Sequence, residues 1–246
     1  MRPRRALLLL SLPLALASAP PALGLPTGPQ LDVWIDGSYA GGYDQTALGC
    51  TTSGDVSQCA GSNLGIGLGS GDLLRFDSWN MTFDIDPVVT GITSVTNLAA
   101  TTQQFTFIFT LPIAPIVPAT VRGGSVQGGM TDNDGNDATV STATGSSYYT
   151  ALVDGLPAQT LYAHPQAHSA GGAFLSGNIP SVAFGTPIPS QPGGPVLTSI
   201  GIKLDFLLTG NDSASFTSNF VVQVPEPHTA ALLALGLGAI ALLRRR

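Results

Sequence analysis

Apolar and polar side chains alternate strictly in several stretches of the chain, the pattern of a β-strand with one face against a core. The clearest stretches are Phe105–Leu111, Ile200–Leu208 and Ala214–Val224, and Met81, Phe83 and Ile85 repeat the alternation more briefly. The expected inward side chains of the three long stretches are Phe105, Phe107, Phe109, Leu111, Ile200, Ile202, Leu204, Phe206, Leu208, Ala214, Phe216, Phe220, Val222 and Val224, with Ser218 as a polar exception. Thr, Asn, Ser, Gln and Asp occupy most of the outward positions.

Shorter apolar runs predict further strands between Gly, Pro and Asn/Asp turns. They are Leu31–Tyr39, Leu73–Phe76, Ile92–Thr96, Val117–Arg122, Ala138–Thr144, Tyr148–Val153, Gln159–Tyr162 and Ala173–Leu175. Five prolines between Asn178 and Pro195 predict an extended surface loop, because proline cannot donate to a central ladder. Many short strands without a helical period indicate an all-β fold, an antiparallel β-sandwich or jelly-roll-like body.

Both ends of the chain differ from this body. Residues 1–24 combine a basic start (Arg2, Arg4 and Arg5) with a short apolar run and small residues at Ala17 and Ala19. That order predicts a cleaved signal peptide, and the apolar run is too short for a stable membrane span. We therefore expect three parts: a signal peptide at 1–24, one β-sandwich domain at 25–223 and a tail at 224–246.

The charge of the body excludes one class of partner. Between the two ends, three basic residues (Arg75, Arg122 and Lys203) face fourteen acidic residues, all of them Asp, so the formal net charge is −11. Such a surface repels nucleic acid and anionic lipid, so we expect no nucleic-acid partner. The two cysteines, Cys50 and Cys59, are predicted to form a disulfide, because an exported protein meets an oxidising compartment.

The tail has three elements in a fixed order. Pro225, Glu226 and Pro227 come first, the apolar run Thr229–Leu243 follows, and Arg244, Arg245 and Arg246 end the chain. The prolines and the residue before Pro227 disfavour a helix and keep the tripeptide extended. Three terminal arginines resist translocation and act as a stop-transfer signal, so the apolar run is expected to be a transmembrane helix with the body outside.

This tail resembles the PEP-CTERM sorting signal of bacteria that have an outer membrane. The resemblance implies that the secretion machinery exports the chain and that exosortase, a membrane-embedded transpeptidase, then recognises Pro225-Glu226-Pro227. It also implies an inner-membrane tether before processing and a cell-surface or extracellular location afterwards. The runs Asp84–Val89 and Phe105–Pro112 resemble β-rich, uncharacterised bodies often found on such tails.

Candidate chemistry in the body rests on carboxylates and aromatic rings. Asp132, Asp134 and Asp137 could offer oxygens to Ca²⁺, although the same Asn-Asp-Gly-Asn sequence also makes a tight turn, which we favour. Asp84 and Asp86 lie two apart and could form an acid–base pair on one sheet face. Aromatic residues that could stack on sugars are Trp34, Tyr39, Tyr43, Trp79, Tyr148 and Tyr149, and core packing explains such residues equally well.

We expect a non-enzymatic cell-surface or extracellular-matrix protein that needs no cofactor and meets extracellular polysaccharide. The main alternative is a carbohydrate-binding module assisted by Ca²⁺. A hydrolase that uses the paired aspartates is the more distant alternative.

Overall fold

The computed structural model describes residues 28–69 and 71–225, and they form strands and turns. None of these residues belongs to a helix long and apolar enough to cross a membrane. The predicted signal peptide, Glu226, Pro227 and Arg244–Arg246 lie outside the described residues.

In chain order the strands are β1 (Gln30–Ile35), β2 (Ser38–Asp44), β3 (Cys50–Ser53), β4 (Val56–Ile66), β5 (Leu74–Asp84), β6 (Val88–Asn97), β7 (Gln103–Pro112), β8 (Thr120–Thr131), β9 (Thr139–Ser141), β10 (Ser147–Val153), β11 (Leu156–Ala163), β12 (Ala167–Ser169), β13 (Ser176–Phe184), β14 (Gln191–Gly193), β15 (Ser199–Leu208) and β16 (Ser213–Gln223).

The strands form two eight-stranded sheets with antiparallel pairing. The first sheet has the order β11-β10-β15-β7-β1-β2, and β9 joins it by pairing with both β15 and β12. The second sheet has the order β13-β8-β16-β6-β5-β4-β3, and β14 pairs with β8. The all-β, antiparallel class predicted from the alternation is therefore confirmed.

Aromatic rings from the two sheets meet in one core. Phe76 of the second sheet packs against Phe107 of the first with ring centroids 4.8 Å apart, and Phe206 packs against Phe216 at 4.6 Å. All four side chains are at most 1 % exposed. The predicted inward sets of β7 and β15 are buried throughout, because each alternation places its apolar members on the face that meets the other sheet.

The inward set of β16 is also buried as far as Val222, and Ser218 keeps the same phase although it is polar. The prediction is wrong for two residues, which are exposed rather than buried. Ile85 is 51 % exposed, because β5 ends at Asp84 and Ile85 lies in the turn before β6. Val224 is 44 % exposed, because β16 ends at Gln223.

Three other local predictions need correction. Leu31–Tyr39 is not one strand but a hairpin, since Asp36 and Gly37 make the turn between β1 and β2. Ala173–Leu175 is not a strand, because Ala173 and Phe174 form a turn. The range 178–195 is not a loop throughout: β13 contains Pro180, which it accommodates at the sheet edge, next to a register shift between Ile179 and Val182.

Candidate functional site

The last strand delivers the tail directly from the surface of the body. Val222 N donates to Pro87 O at 3.0 Å, and Gln223 is the last residue paired with β8. Pro225, the first residue of the predicted sorting tripeptide, is exposed. Only Val224 separates Pro225 from the hydrogen-bonded ladder, which ends at Gln223.

A groove of about 580 Å³ runs beside this exit. It lies between the β5–β6 turn, the segment that follows β7 and the end of β16. Its lining residues are Ile85, Asp86, Pro87, Ala114, Pro115, Ile116, Val222, Gln223 and Val224. The surface beside the end of β16 is therefore concave, with polar and apolar groups in similar proportion.

The predicted disulfide partners face each other in a hairpin. Cys50 of β3 is opposite Cys59 of β4, and their sulfurs are bonded. Cys59 is fully buried in the core, whereas Cys50 packs against it from a partly exposed position. The hairpin turn is at Gly54 and Asp55, so the segment between the cysteines is a short pair of strands.

The acidic loop after β8 gathers three carboxylates, but not the three expected from the sequence. Asp132, Asp134 and Asp212 have carboxylate oxygens within 4.8 Å of one another, while Asp137 is not part of this group. Asp137 Oδ1 instead accepts hydrogen bonds from Gly171 N at 2.9 Å and Gly172 N at 3.3 Å. Asp212 joins because β16 pairs with β8, which brings the turn after β15 beside the loop.

Hydrogen-bond donors from the protein occupy most of these oxygens. Asp132 Oδ1 accepts from Asp134 N at 3.2 Å and Gly135 N at 2.9 Å, and its Oδ2 accepts from Phe174 N at 2.6 Å. Asp212 accepts from Asn133 N at 3.2 Å and from the Thr209 hydroxyl. The cluster thus ties three loops together, and both the tight turn and Ca²⁺ binding there stay predictions.

The environment moves the pKa values of the two buried carboxyls in opposite directions. Burial alone would raise the pKa of Asp132, but hydrogen bonds from backbone N–H groups, that of Phe174 foremost, lower the pKa to about 2. Burial raises the pKa of Asp212, and the charges of Asp134 and Asp132 oppose its ionisation further, against the hydrogen bonds from Thr209 and Asn133. One carboxylate is therefore held ionised while its neighbour is penalised for ionising.

The structure does not place Asp84 and Asp86 on one sheet face. Asp84 is the last residue of β5, and Asp86 lies in the following turn. Asp84 Oδ1 accepts a hydrogen bond from Asp86 N at 3.0 Å, the arrangement of an Asx turn. This hydrogen bond stabilises the turn between β5 and β6.

The aromatic candidates differ in whether their rings contribute to the core. Tyr148 and Tyr149 are fully buried, and Trp79 is 8 % exposed with its indole N–H donating to Leu48 O at 2.9 Å. Tyr43 packs against the core from the edge strand. Trp34 and Tyr39 differ from these, because they pair across β1 and β2 on the face turned away from the core.

Comparison with known families identifies the tail. Residues 223–246 match the PEP-CTERM protein-sorting motif, beginning one residue before the tail expected from the sequence. A comparison of the whole chain with curated proteins gives no match. The chain thus carries a PEP-CTERM sorting tail on a β-rich body, which supports exosortase-dependent sorting to the cell surface with membrane anchoring before processing.

Proposed function

We propose that the protein is an exported surface or extracellular-matrix protein, in which a non-enzymatic β-sandwich is the cargo and the tail is the address. The match of residues 223–246 to the sorting motif carries this proposal. An N-terminal signal peptide at residues 1–24 starts export. The apolar run Thr229–Leu243 then holds the chain in the inner membrane until exosortase acts at Pro225-Glu226-Pro227.

The junction between body and tail supports this order of events. The ladder ends at Gln223 and Pro225, the first residue of the tripeptide, is exposed, which supports recognition of the motif without unfolding of the core. Arg244–Arg246 keep the far end of the apolar run in the cytoplasm, because positive charge resists translocation. The body then lies on the opposite side of the membrane, and only a few residues of the chain connect it to the apolar run.

The non-enzymatic part of the proposal rests on how the candidate acids are used. Asp84 accepts a hydrogen bond from the backbone of Asp86 in a turn, and Asp132 accepts three backbone hydrogen bonds within its loop cluster. Both carboxylates therefore have structural partners. The hydrolase hypothesis would need an Asp84→Asn variant that loses an activity present in the wild-type protein.

A single substitution in the tripeptide tests the sorting role. In a host that contains exosortase, Glu226→Ala should leave export intact but block trimming, so the full tail stays in the inner-membrane fraction. Asp86→Ala is the matched control, since it removes an exposed carboxylate beside the same exit but outside the motif. Intact mass and membrane fractionation measure both variants. Equal trimming of Glu226→Ala and wild type would remove the role assigned to Glu226.

A further inference from the structure

The outer face of the β1–β2 hairpin carries a small aromatic and polar surface, formed by Asp32, Trp34 and Tyr39 and called the platform below. Leu31, Val33 and Ile35 of β1 are at most 2 % exposed, so the alternate residues Asp32 and Trp34 project away from the core. Tyr39 of β2 is directly opposite Trp34 and is 57 % exposed. The phenol ring of Tyr39 is therefore largely exposed to solvent.

The platform holds its rings in a defined arrangement. The Trp34 and Tyr39 ring centroids are 5.3 Å apart, with the planes inclined at 65°. Tyr39 Oη donates to Asp32 Oδ1 at 3.2 Å, which draws the phenol along the strand. Gly42 lies opposite Asp32, and a Cβ at that position would collide with Tyr39 Oη. Glycine there leaves the room that the phenol occupies.

A shallow depression of about 380 Å³ adjoins the phenol and adds polar groups to it. Its lining residues are Gln30, Asp32, Tyr39, Gly42, Tyr43, Asp44 and Ala47. Asp44 Oδ1 is already used by the backbone N–H groups of Thr46 and Ala47, at 2.9 Å each. Gln30 and the second carboxylate oxygens of Asp32 and Asp44 are therefore polar groups placed for a ligand in the depression.

We propose that the platform binds a neutral glycan chain. A sugar ring offers an apolar C–H face to an aromatic ring and hydroxyl donors to a carboxylate and an amide, and the platform presents these partners together. The body's formal net charge of −11 disfavours an acidic polysaccharide. The exposed phenol and the open depression beside it suit the flat face of a sugar ring, and the two carboxylates, Asp32 and Asp44, can accept hydrogen bonds from its hydroxyls.

The platform also has a purely structural explanation, which the experiment must separate from binding. Aromatic pairs across two strands stabilise a hairpin, and this pair flanks the turn at Asp36 and Gly37. A Trp34 variant would lose stability whether or not the platform also binds a ligand, because the aromatic pair stabilises the hairpin in both cases. Only ligand-dependent signals distinguish them, and the proposal concerns the body alone, independently of the sorting tail.

The chain allows a reporter at the platform itself. Its two tryptophans are Trp34 and Trp79, so Trp79→Phe leaves Trp34 as the single indole emitter. The full chain in a detergent without a sugar headgroup is titrated with cellohexaose, laminarihexaose and maltohexaose, and with hexagalacturonate and hexalysine as charged probes. The expected result is a saturable change in Trp34 emission with at least one neutral hexamer and none with the charged probes.

Two variants and a control locate the binding. Tyr39→Ala should weaken it about tenfold, as the loss of one aromatic contact predicts. Gly42→Ala should also weaken it, since it displaces the phenol without removing a ring. Phe174→Ala, which truncates another exposed aromatic residue, should bind like the parent. No saturable change with any neutral hexamer, unchanged affinity in both platform variants, or a preference for hexalysine would overturn the proposal.

Discussion

The body and the tail of this protein carry their information in different ways. The tail is a linear pattern in which a tripeptide, an apolar run and three arginines act through their order along the chain. The body depends on juxtaposition: Phe107 meets Phe76 from the other sheet, and Asp132 meets Asp212 from a distant turn. A sorting motif can therefore be recognised from the sequence alone. The surfaces of the body, in contrast, are formed by residues that come together only when the strands pair.

The two regions meet over a very short distance. Gln223 is the last residue in the ladder, and Pro225 begins the sorting tripeptide. Because the ladder ends at Gln223, before the tripeptide begins in the sequence, we expect changes in the body to alter its free energy of unfolding without altering the trimming of the tail. Changes in the tripeptide should do the reverse.

The largest expected effect is in the core. Phe107 is fully buried and lies between Phe76 and Phe206, so Phe107→Ala should lower the free energy of unfolding by about 3–5 kcal/mol. Thr106→Ala is the matched control on the outer face of the same strand and should change it by less than about 0.5 kcal/mol. Urea unfolding of the full chain in detergent measures both, and similar losses in the two variants would contradict the inward phase of β7.

Removal of the disulfide should have the next largest effect on stability. The bridge closes a nine-residue separation, for which the chain-entropy model allows at most about 2–3 kcal/mol. Replacing both cysteines by serine should lower the free energy of unfolding by that order, while Ser53→Ala, exposed in the same hairpin, should change little. The intact mass after alkylation, with and without prior reduction, reports the pairing. Two thiols free in exported wild-type protein would be incompatible with the bridge.

A smaller effect is expected from acid. The pKa of Asp132 lies near 2 in the fold and near its ordinary value of about 3.9 in the unfolded chain. Its contribution to stability is thus complete above pH of about 4 and is lost as the pH falls toward about 2. Asp132→Asn should flatten the dependence of Tm on pH in this window. A wild-type slope that persists in the variant would show that other groups cause it.

The neighbouring carboxyl allows the calcium hypothesis to be tested on the same protein. The pKa of Asp212 is raised, so Asp212→Asn should relieve an unfavourable charge when no cation is present. A calcium-dependent rise in Tm that Asp212→Asn abolishes would support the calcium-assisted module. Equal Tm values with calcium and with chelator would contradict calcium binding. The role of the cluster would then be structural, through the hydrogen bonds that connect its loops.

The accuracy of the strand and turn predictions depends on the kind of sequence pattern behind each one. Strict alternation predicted the buried faces of β7 and β15 correctly, because only one of the two possible phases of a strand buries all of its alternating apolar residues. Pro180 misled the prediction for β13, since proline excludes a central strand but is tolerated at an edge. The turn between β1 and β2 was missed, although Asp36 and Gly37 are residue types that favour one.

The candidate sites were predicted less completely for the same physical reason. The role of Asp212 in the acidic cluster follows from the pairing of β16 with β8, which local sequence does not encode. The sequence does not distinguish the six aromatic candidates from one another, whereas the strand pairing does, because it places Trp34 and Tyr39 on the face turned away from the core. A signal for the platform was nevertheless present, because Trp34 occupies the outward phase of an alternating strand.

The most direct test of the sorting account is the C-terminal mass of the mature wild-type protein. It should be measured from two otherwise identical hosts, one with exosortase and one without it. The account predicts a C-terminus near Pro225-Glu226-Pro227 in the first host and an intact Arg246 in the second. Mature protein that keeps Arg246 in the host with exosortase would make the tail an ordinary membrane anchor and contradict the account.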